Sequence, residues 1–212
     1  MKEKDKQIIF HISIFTAMIL SVIIYGLSHF ASGCENVKEN VLRLHVIANS
    51  DTQEDQELKL KVRDAIIETG AVLFEDCENK NQAAYTAKEK SELIKTVAQE
   101  VIKEEGKDYP VSVFVGQENY PTRTYEKATL PAGEYTSLRV IIGDGEGHNW
   151  WCVVFPPMCV TAASKEDSLK EVLNSDGMQV VNSDPKYEVR FKLVEWYEEI
   201  KEKWENATSD KR

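Results

Sequence analysis

Ile8–Phe30 runs for 23 residues without one Asp, Glu, Lys or Arg, and it dictates how the chain is partitioned. A helix rises ~1.5 Å per residue, so about 20 apolar residues cross the hydrocarbon core of a bilayer. The run is long enough for an anchor and longer than the roughly 7–15-residue apolar body of an ordinary secretory leader. Ala31-Ser32-Gly33 puts small residues at the minus-three and minus-one positions for cleavage before Cys34. The same stretch with Cys34 is a loose lipobox, with Ala31 where Leu is more usual. Cleavage and release, retention as an anchor, and lipidation of Cys34 all remain open. Each carries the rest of the chain out of the cytoplasm. Lys2, Lys4 and Lys6 favour a cytoplasmic N-terminal tail, although Glu3 and Asp5 dilute the charge. Residues 1–33 therefore read as signal peptide or membrane anchor, 38–204 as a single exported domain and 205–212 as a polar tail.

The net charge is −10, and since residues 1–33 carry +1, the exported part carries −11. Such a domain is repelled by nucleic-acid phosphates, and no basic stripe reverses this, so nucleic acid is not an expected partner. Four cysteines in 212 residues are too few for a disulfide framework, and a chain of this length does not need one. Cys152 and Cys159 flank Pro156-Pro157, a turn-prone break that allows a bridge; two small apolar residues in a half-buried strand remain the alternative.

Hydrophobic patterning gives the elements. Val41–Ile47 is a β-rich run ending at the turn cluster Ala48–Asp51. Thr52 and Asp55 form a capping pair for a helix whose face is Leu58, Val62, Ala65, Thr69 and Val72. A second helix is expected over Gln82–Glu105, with Leu93, Val97 and Val101 turned inward. Tyr109–Gly116 alternates Val111, Val113 and Val115 as a half-buried strand, and Thr122–Lys127 is a weaker edge candidate. Glu134–Ile142 and Asn149–Phe155 are the two best strands, with Gly143–His148 as a hairpin loop between them. A short helical segment covers Lys165–Leu173. Asp184-Pro185 then starts a helix whose Val189, Phe191, Leu193, Val194, Trp196 and Ile200 imply burial against the sheet. The order predicts an α+β fold, a mainly antiparallel 4–5-stranded sheet packed with helices, plus the N-terminal transmembrane or signal helix.

Chemistry-bearing constellations are sparse. Gly143-x-Gly145-x-Gly147 precedes a strand rather than a helix, and Asp144 and Glu146 repel phosphate. Asp144, Glu146 and Asn149 offer oxygen ligands, but their spacing misses the calcium-loop pattern. His148 and Cys152, four apart on one extended strand, stand about 13 Å apart, too far for a nucleophile–base pair. His45 in an apolar strand reads as a core or sheet-surface histidine. No metal-type spacing exists among His45, His148, Cys77, Cys152 and Cys159. No catalytic residue, metal or cofactor is expected. Alternation puts Trp151, Val153 and Phe155 on one face, and Trp150, Cys152 and Val154 on the other. One tryptophan is then either a surface hot spot beside the loop or covered by the terminal helix.

Three blocks carry a family resemblance. Val41–Asp64 reads VLRLHVIANSDTQEDQELKLKVRD, Gly133–Cys159 reads GEYTSLRVIIGDGEGHNWWCVVFPPMC, and Tyr187–Trp196 reads YEVRFKLVEW. In this order they resemble the stage II sporulation protein R family across about residues 38–204. Arg43, His45, Asn49, Asp51 and the LKLKVRD run match its first block; Trp150, Trp151, Cys152, Pro156, Pro157 and Cys159 match its second. The resemblance implies an exported sporulation signal in the space between forespore and mother cell, not an enzyme. It implies a membrane-embedded aspartic-type protease as protein partner, activated to remove the pro-sequence of sigma-E. The resemblance transfers no catalytic role. The expected contact surface is Asp144, Glu146, His148, Asn149, Trp150, Trp151, Pro156 and Pro157. The Gly33–Cys34 leader departs from it and leaves release or anchoring open. A cell-envelope binding protein for wall polymer or a small ligand, with or without a lipid anchor at Cys34, is the competing class.

Overall fold

The computed structural model describes residues 3–125, 128–157, 165–182 and 188–209. Helix α1 (Glu3–Asn40) leads directly into strand β1 (Leu42–Ile47). Helices α2 (Gln53–Leu73), α3 (Lys80–Glu89) and α4 (Ser91–Glu104) follow. Then come β2 (Val111–Tyr120), β3 (Arg123–Tyr125), β4 (Ala128–Leu130), β5 (Gly133–Ile142) and β6 (Asn149–Phe155). The chain closes with α5 (Lys165–Val172), α6 (Ser175–Val181) and α7 (Glu188–Ser209). The α+β class is as expected, with a four-stranded sheet ordered β2-β5-β1-β6 and a separate β3-β4 pair.

The central pair of the sheet, β1 with β5, is parallel, while β1–β6 and β2–β5 are antiparallel. The sheet is therefore mixed. The expected hairpin between β5 and β6 does not form, because β1 lies between them. The glycine loop instead crosses over the end of β1. Strand β1 pairs with a neighbour on both sides, and it is apolar toward the helices, with Leu42, Leu44 and Val46 fully buried.

One sheet face packs on α2, α3 and α4. Thr52 caps α2 as expected, its hydroxyl accepting from Asp55 N at 3.3 Å. The buried stripe of α2 is Leu58, Lys59, Val62, Ile66 and Gly70, rotated from the predicted one, and Val72 is exposed. The predicted Gln82–Glu105 helix is broken at Lys90 (φ −98°, ψ 13°) into α3 and α4. Within α4 the inward stripe is Ile94, Ala98 and Ile102, one position on from the predicted one, and Leu93 is exposed.

The opposite face is covered over part of its length by the end of α1, β4, α5 and α6, through Val37, Leu130, Tyr135, Leu169 and Val181. Strand β6 alternates as predicted up to Val154. There the β1–β6 register shifts between Leu42 and Arg43, and Phe155 joins the helix-covered core instead of following Trp151 and Val153. The expected Asp184-Pro185 start lies outside the described residues. Helix α7 does not bury a wide face on the sheet: Phe191 is buried and Val194 partly buried with Phe30 of α1, while Leu193, Trp196 and Ile200 are exposed.

Candidate functional site

The first and second blocks meet at the C-terminal end of β1. Asn49 receives Asp144 N on its Oδ1 at 3.1 Å and donates from Nδ2 to Asp55 Oδ2 at 2.9 Å. Its backbone oxygen accepts from Glu146 N at 3.1 Å, and Ala48 O accepts from Gly147 N at 3.0 Å. Gly143 sits at φ 58°, and a side chain there would overlap Asn49; only glycine meets both demands without strain. Gly147 lies so close to the Ser50 backbone that a Cβ has no room.

Asp51 and Asp55 anchor this clasp. Asp51 Oδ1 accepts from His148 N at 2.6 Å and contacts the His148 ring Nδ1. The His148 side chain, followed by its backbone N–H, holds the Asp51 carboxyl below its ordinary value. Burial acts to raise Asp55, but hydrogen bonds from Ser50, Asn49 and Tyr109 outweigh it, and the net shift is downward. Lys59, buried beneath the loop, donates to His148 O at 2.9 Å and Gln56 Oε1 at 2.5 Å. Desolvation lowers its ammonium from the ordinary lysine value.

The tryptophan pair straddles β6: Trp151 packs, half-buried, against the core cluster that holds Val153, and Trp150 lies on the other face. Arg63 of α2 lies 4.3 Å from the centroid of Trp150, and Arg123 of β3 lies 3.8 Å from that of Trp151. Trp150 is exposed and Trp151 half-buried. Between β3 and β6 a hollow of about 580 Å³ is lined by Arg123, Tyr125, His148, Asn149, Trp150 and Trp151. Pro156 and Pro157 are not part of it. They lie at the far end of β6, about 20 Å along the strand, and line a second hollow of about 400 Å³ with Phe74, Cys77 and Val172.

Behind Trp151 lies a buried polar row. Arg43, fully buried, donates from Nε to Cys152 O at 3.2 Å and from Nη2 to Tyr125 Oη at 3.0 Å. Its guanidinium stands 4.2 Å from the ring centroid of Tyr120 and 5.0 Å from that of Tyr135. His45 Nδ1 is 2.8 Å from Glu118 Oε1, and the Tyr120 hydroxyl is 2.6 Å from Ser137 Oγ. Burial acts to raise the Glu118 carboxyl, but the hydrogen bond from His45 more than offsets it, leaving Glu118 lowered. Sequence reasoning missed Glu118, Tyr120, Ser137 and Arg123. For Glu118 and Tyr120 the only local signal was a polar residue recurring on the second face of β2, and Arg123 of β3 and Ser137 of β5 carried none.

The thiol and leader residues also have definite places. Cys34 and Cys77 are free, Cys152 is disulfide-bonded, and Cys159 lies outside the described residues. His148 and Cys152 do not meet, since Cys152 joins the helix-covered core. Helix α1 is apolar and long enough to cross a membrane over its first part, and it passes unbroken through Gly33 and Cys34 into the domain. Cys34 is buried with Phe30, Val180 and Phe191. A Cβ on Gly33 would stand 2.6 Å from Asp176 O of α6. His29 meets Asp176 at 3.0 Å, and Lys38 meets Glu198 of α7 at 3.0 Å.

These features define a small mixed-sheet α+β domain carried on an apolar helix, with an acidic, aromatic-edged crown and no assembled nucleophile–base pair among the described residues. The stage II sporulation protein R family model matches residues 38–165, and the chain belongs to that family. It is 34% identical over 166 residues to stage II sporulation protein R of Bacillus subtilis (strain 168), covering 76% of this chain and 74% of that protein. No solved structure matches it. The family assigns the chain a role in sporulation.

Proposed function

We propose that this chain is an exported sporulation signal that activates a membrane-embedded aspartic-type protease, which then processes pro-sigma-E across the intermembrane space between forespore and mother cell. Membership of the stage II sporulation protein R family over residues 38–165 carries this reading. The chain acts as a ligand rather than a catalyst, and activates by binding the active arrangement of the protease more tightly than the inactive one. The proposed contact is the crown formed by Asp144, Glu146, His148, Asn149, Trp150 and Trp151. Pro156 and Pro157 join it only for a partner lying along β6. The burial of Gly33 and Cys34 in a continuous helix favours a signal that works from its membrane anchor over a released or Cys34-lipidated one.

The test is co-expression with the protease and pro-sigma-E in a non-sporulating host, with and without residues 1–33. Processing only by the chain that carries its N-terminal helix is expected. Absence of processing by folded, exported protein, alongside a working relative, overturns the assignment. The hollow beside Trp151 and Arg123 favours one second reading, an envelope protein that binds wall polymer or a small ligand. Binding to purified cell wall that Trp151→Ala abolishes would support it.

A further inference from the structure

The hollow between β3 and β6 is basic, in a chain whose net charge is −10. Among the described residues no carboxylate lines it. Arg123 does, and its Nε is buried without a hydrogen-bond partner. Arg43, behind Trp151, is in a similar position. It is fully buried, held by Cys152 O, the Tyr125 hydroxyl and two tyrosine rings, and its Nη1 has no partner. Neither arginine has an ion pair among the described residues. Arginine keeps its proton when buried, and a buried charge ordinarily carries a counter-ion. Glu118, the carboxylate of the polar row, is already engaged by His45 at 2.8 Å and by Arg139 at 3.7 Å. Burial raises the Tyr125 hydroxyl above its ordinary value, while the charges of Arg43 and Arg123 oppose the rise. Both cations therefore act on one wall of the hollow.

We infer that the hollow receives an acidic side chain, the carboxylate of an Asp or Glu on a protein partner, with Arg123 as its direct contact. The inference rests on the reading of the crown as a protein-binding surface. Charge selects the carboxylate, and composition selects a protein. Tryptophan, tyrosine and arginine are the residue types that dominate protein–protein hot spots, whereas lysine, depleted there, does not line the hollow. Arg123 lies with its guanidinium 3.8 Å from the centroid of Trp151, which orders it before the partner arrives. Its planar fork suits two parallel hydrogen bonds to one carboxylate. Arg43 does not touch the ligand; it adds a second positive charge behind low-dielectric aromatic walls, which concentrate the field. The rest of this acidic domain repels an acidic segment, so one accepting spot also fixes how the partner is oriented.

The test is the co-expression assay with the full chain, each variant checked for folding by circular dichroism. Arg123→Gln should lower processing about tenfold, and Arg123→Lys should recover only part, because an ammonium keeps the charge and loses the fork. Arg139→Gln removes the same charge from the same sheet face but outside the hollow, and should process like wild type. Arg123→Glu should be restored by changing one carboxylate of the protease's exposed segment to arginine. Failure of the wild-type chain to process refutes the signal reading, and the hollow is then judged by binding alone. Tryptophan fluorescence of the purified full chain is titrated with a blocked apolar hexapeptide carrying one Glu, and with its Gln counterpart. Roughly tenfold tighter binding of the Glu peptide, lost in Arg123→Gln, is expected. Equal losses from Arg123→Gln and Arg139→Gln, equal binding of the two peptides, or Arg123-dependent binding to purified cell wall instead overturns the proposal.

Discussion

Phe30, at the end of the apolar run, stands edge-on to Phe191 near the other end of the chain, with ring centroids 5.3 Å apart. This contact, with Cys34 and Val180 around it, makes the leader and the domain one packed unit rather than a folded body on a removable thread.

Leader retention is therefore the first expectation. The mass of the chain from the membrane fraction should include residues 1–33, and a mass beginning at Cys34 would refute it. Gly33→Leu should push α6 off α1, since a Cβ already meets Asp176 O at 2.6 Å. In a Cys77→Ala background, Cys34 should change from unreactive to readily labelled by a membrane-impermeant maleimide.

Gly143→Ala should lower stability by about 2 kcal/mol or more, combining left-handed strain with displacement of Asn49. The urea midpoint reads this directly. Asn49→Ala should cost a similar amount, and the double variant should fall short of the sum, because both changes break the same clasp.

Acid sensitivity follows from Asp55 and Glu118. Both carboxyls are held below their ordinary values in the folded chain. The stability they contribute is thus complete above the unfolded carboxylate range near pH 4 and is lost as pH falls through the lower folded values. Asp55→Asn should be less stable at pH 7, and the gap from wild type should narrow below about pH 4. A gap that stays constant in pH-dependent urea melts would contradict this.

Cys152 is disulfide-bonded, and we expect Cys159 as its partner across the two prolines. Unfolded but unreduced protein should present two thiols, Cys34 and Cys77, on titration, and four only after reduction. Cys152→Ser should cost roughly 2–3 kcal/mol on the loop-closure model, with a matching loss in wild type under reducing conditions.

Local signals in the sequence located β1, β5, β6 and the Thr52 cap well, because alternation and capping depend on residues within a few positions of each other; β2 extends beyond the expected Gly116 to Tyr120, and the short β4 was missed. The order of the strands was not legible in the same way. Gly143–His148 has the composition of a hairpin, and only the bond from Asp144 N to Asn49, 95 positions away, shows that β1 intervenes. Helix phase failed for the same reason. Leu93, Val97 and Val101 and the neighbouring Ile94, Ala98 and Ile102 are both apolar stripes, and close approach to the sheet selects the one containing small Ala98. Within the candidate site, the Asn49, Asp51 and His148 cluster was assembled from residues singled out in two separate blocks. The stacking of arginines over Trp150 and Trp151 was not foreseen, although Arg63 lies in the matched LKLKVRD run, since nothing local to Arg63 or Arg123 marks an indole as its neighbour.

The placement of β1 also governs when the domain can exist. Its two neighbours, β5 and β6, lie about a hundred residues further along the chain, and non-local pairing of this kind forms slowly. Until residue 155 has been made, Leu42–Ile47 lacks one of its two neighbours, so the sheet closes around its own first strand only when most of the chain is present. A chain cut short anywhere before β6 leaves the middle of the sheet as an open edge.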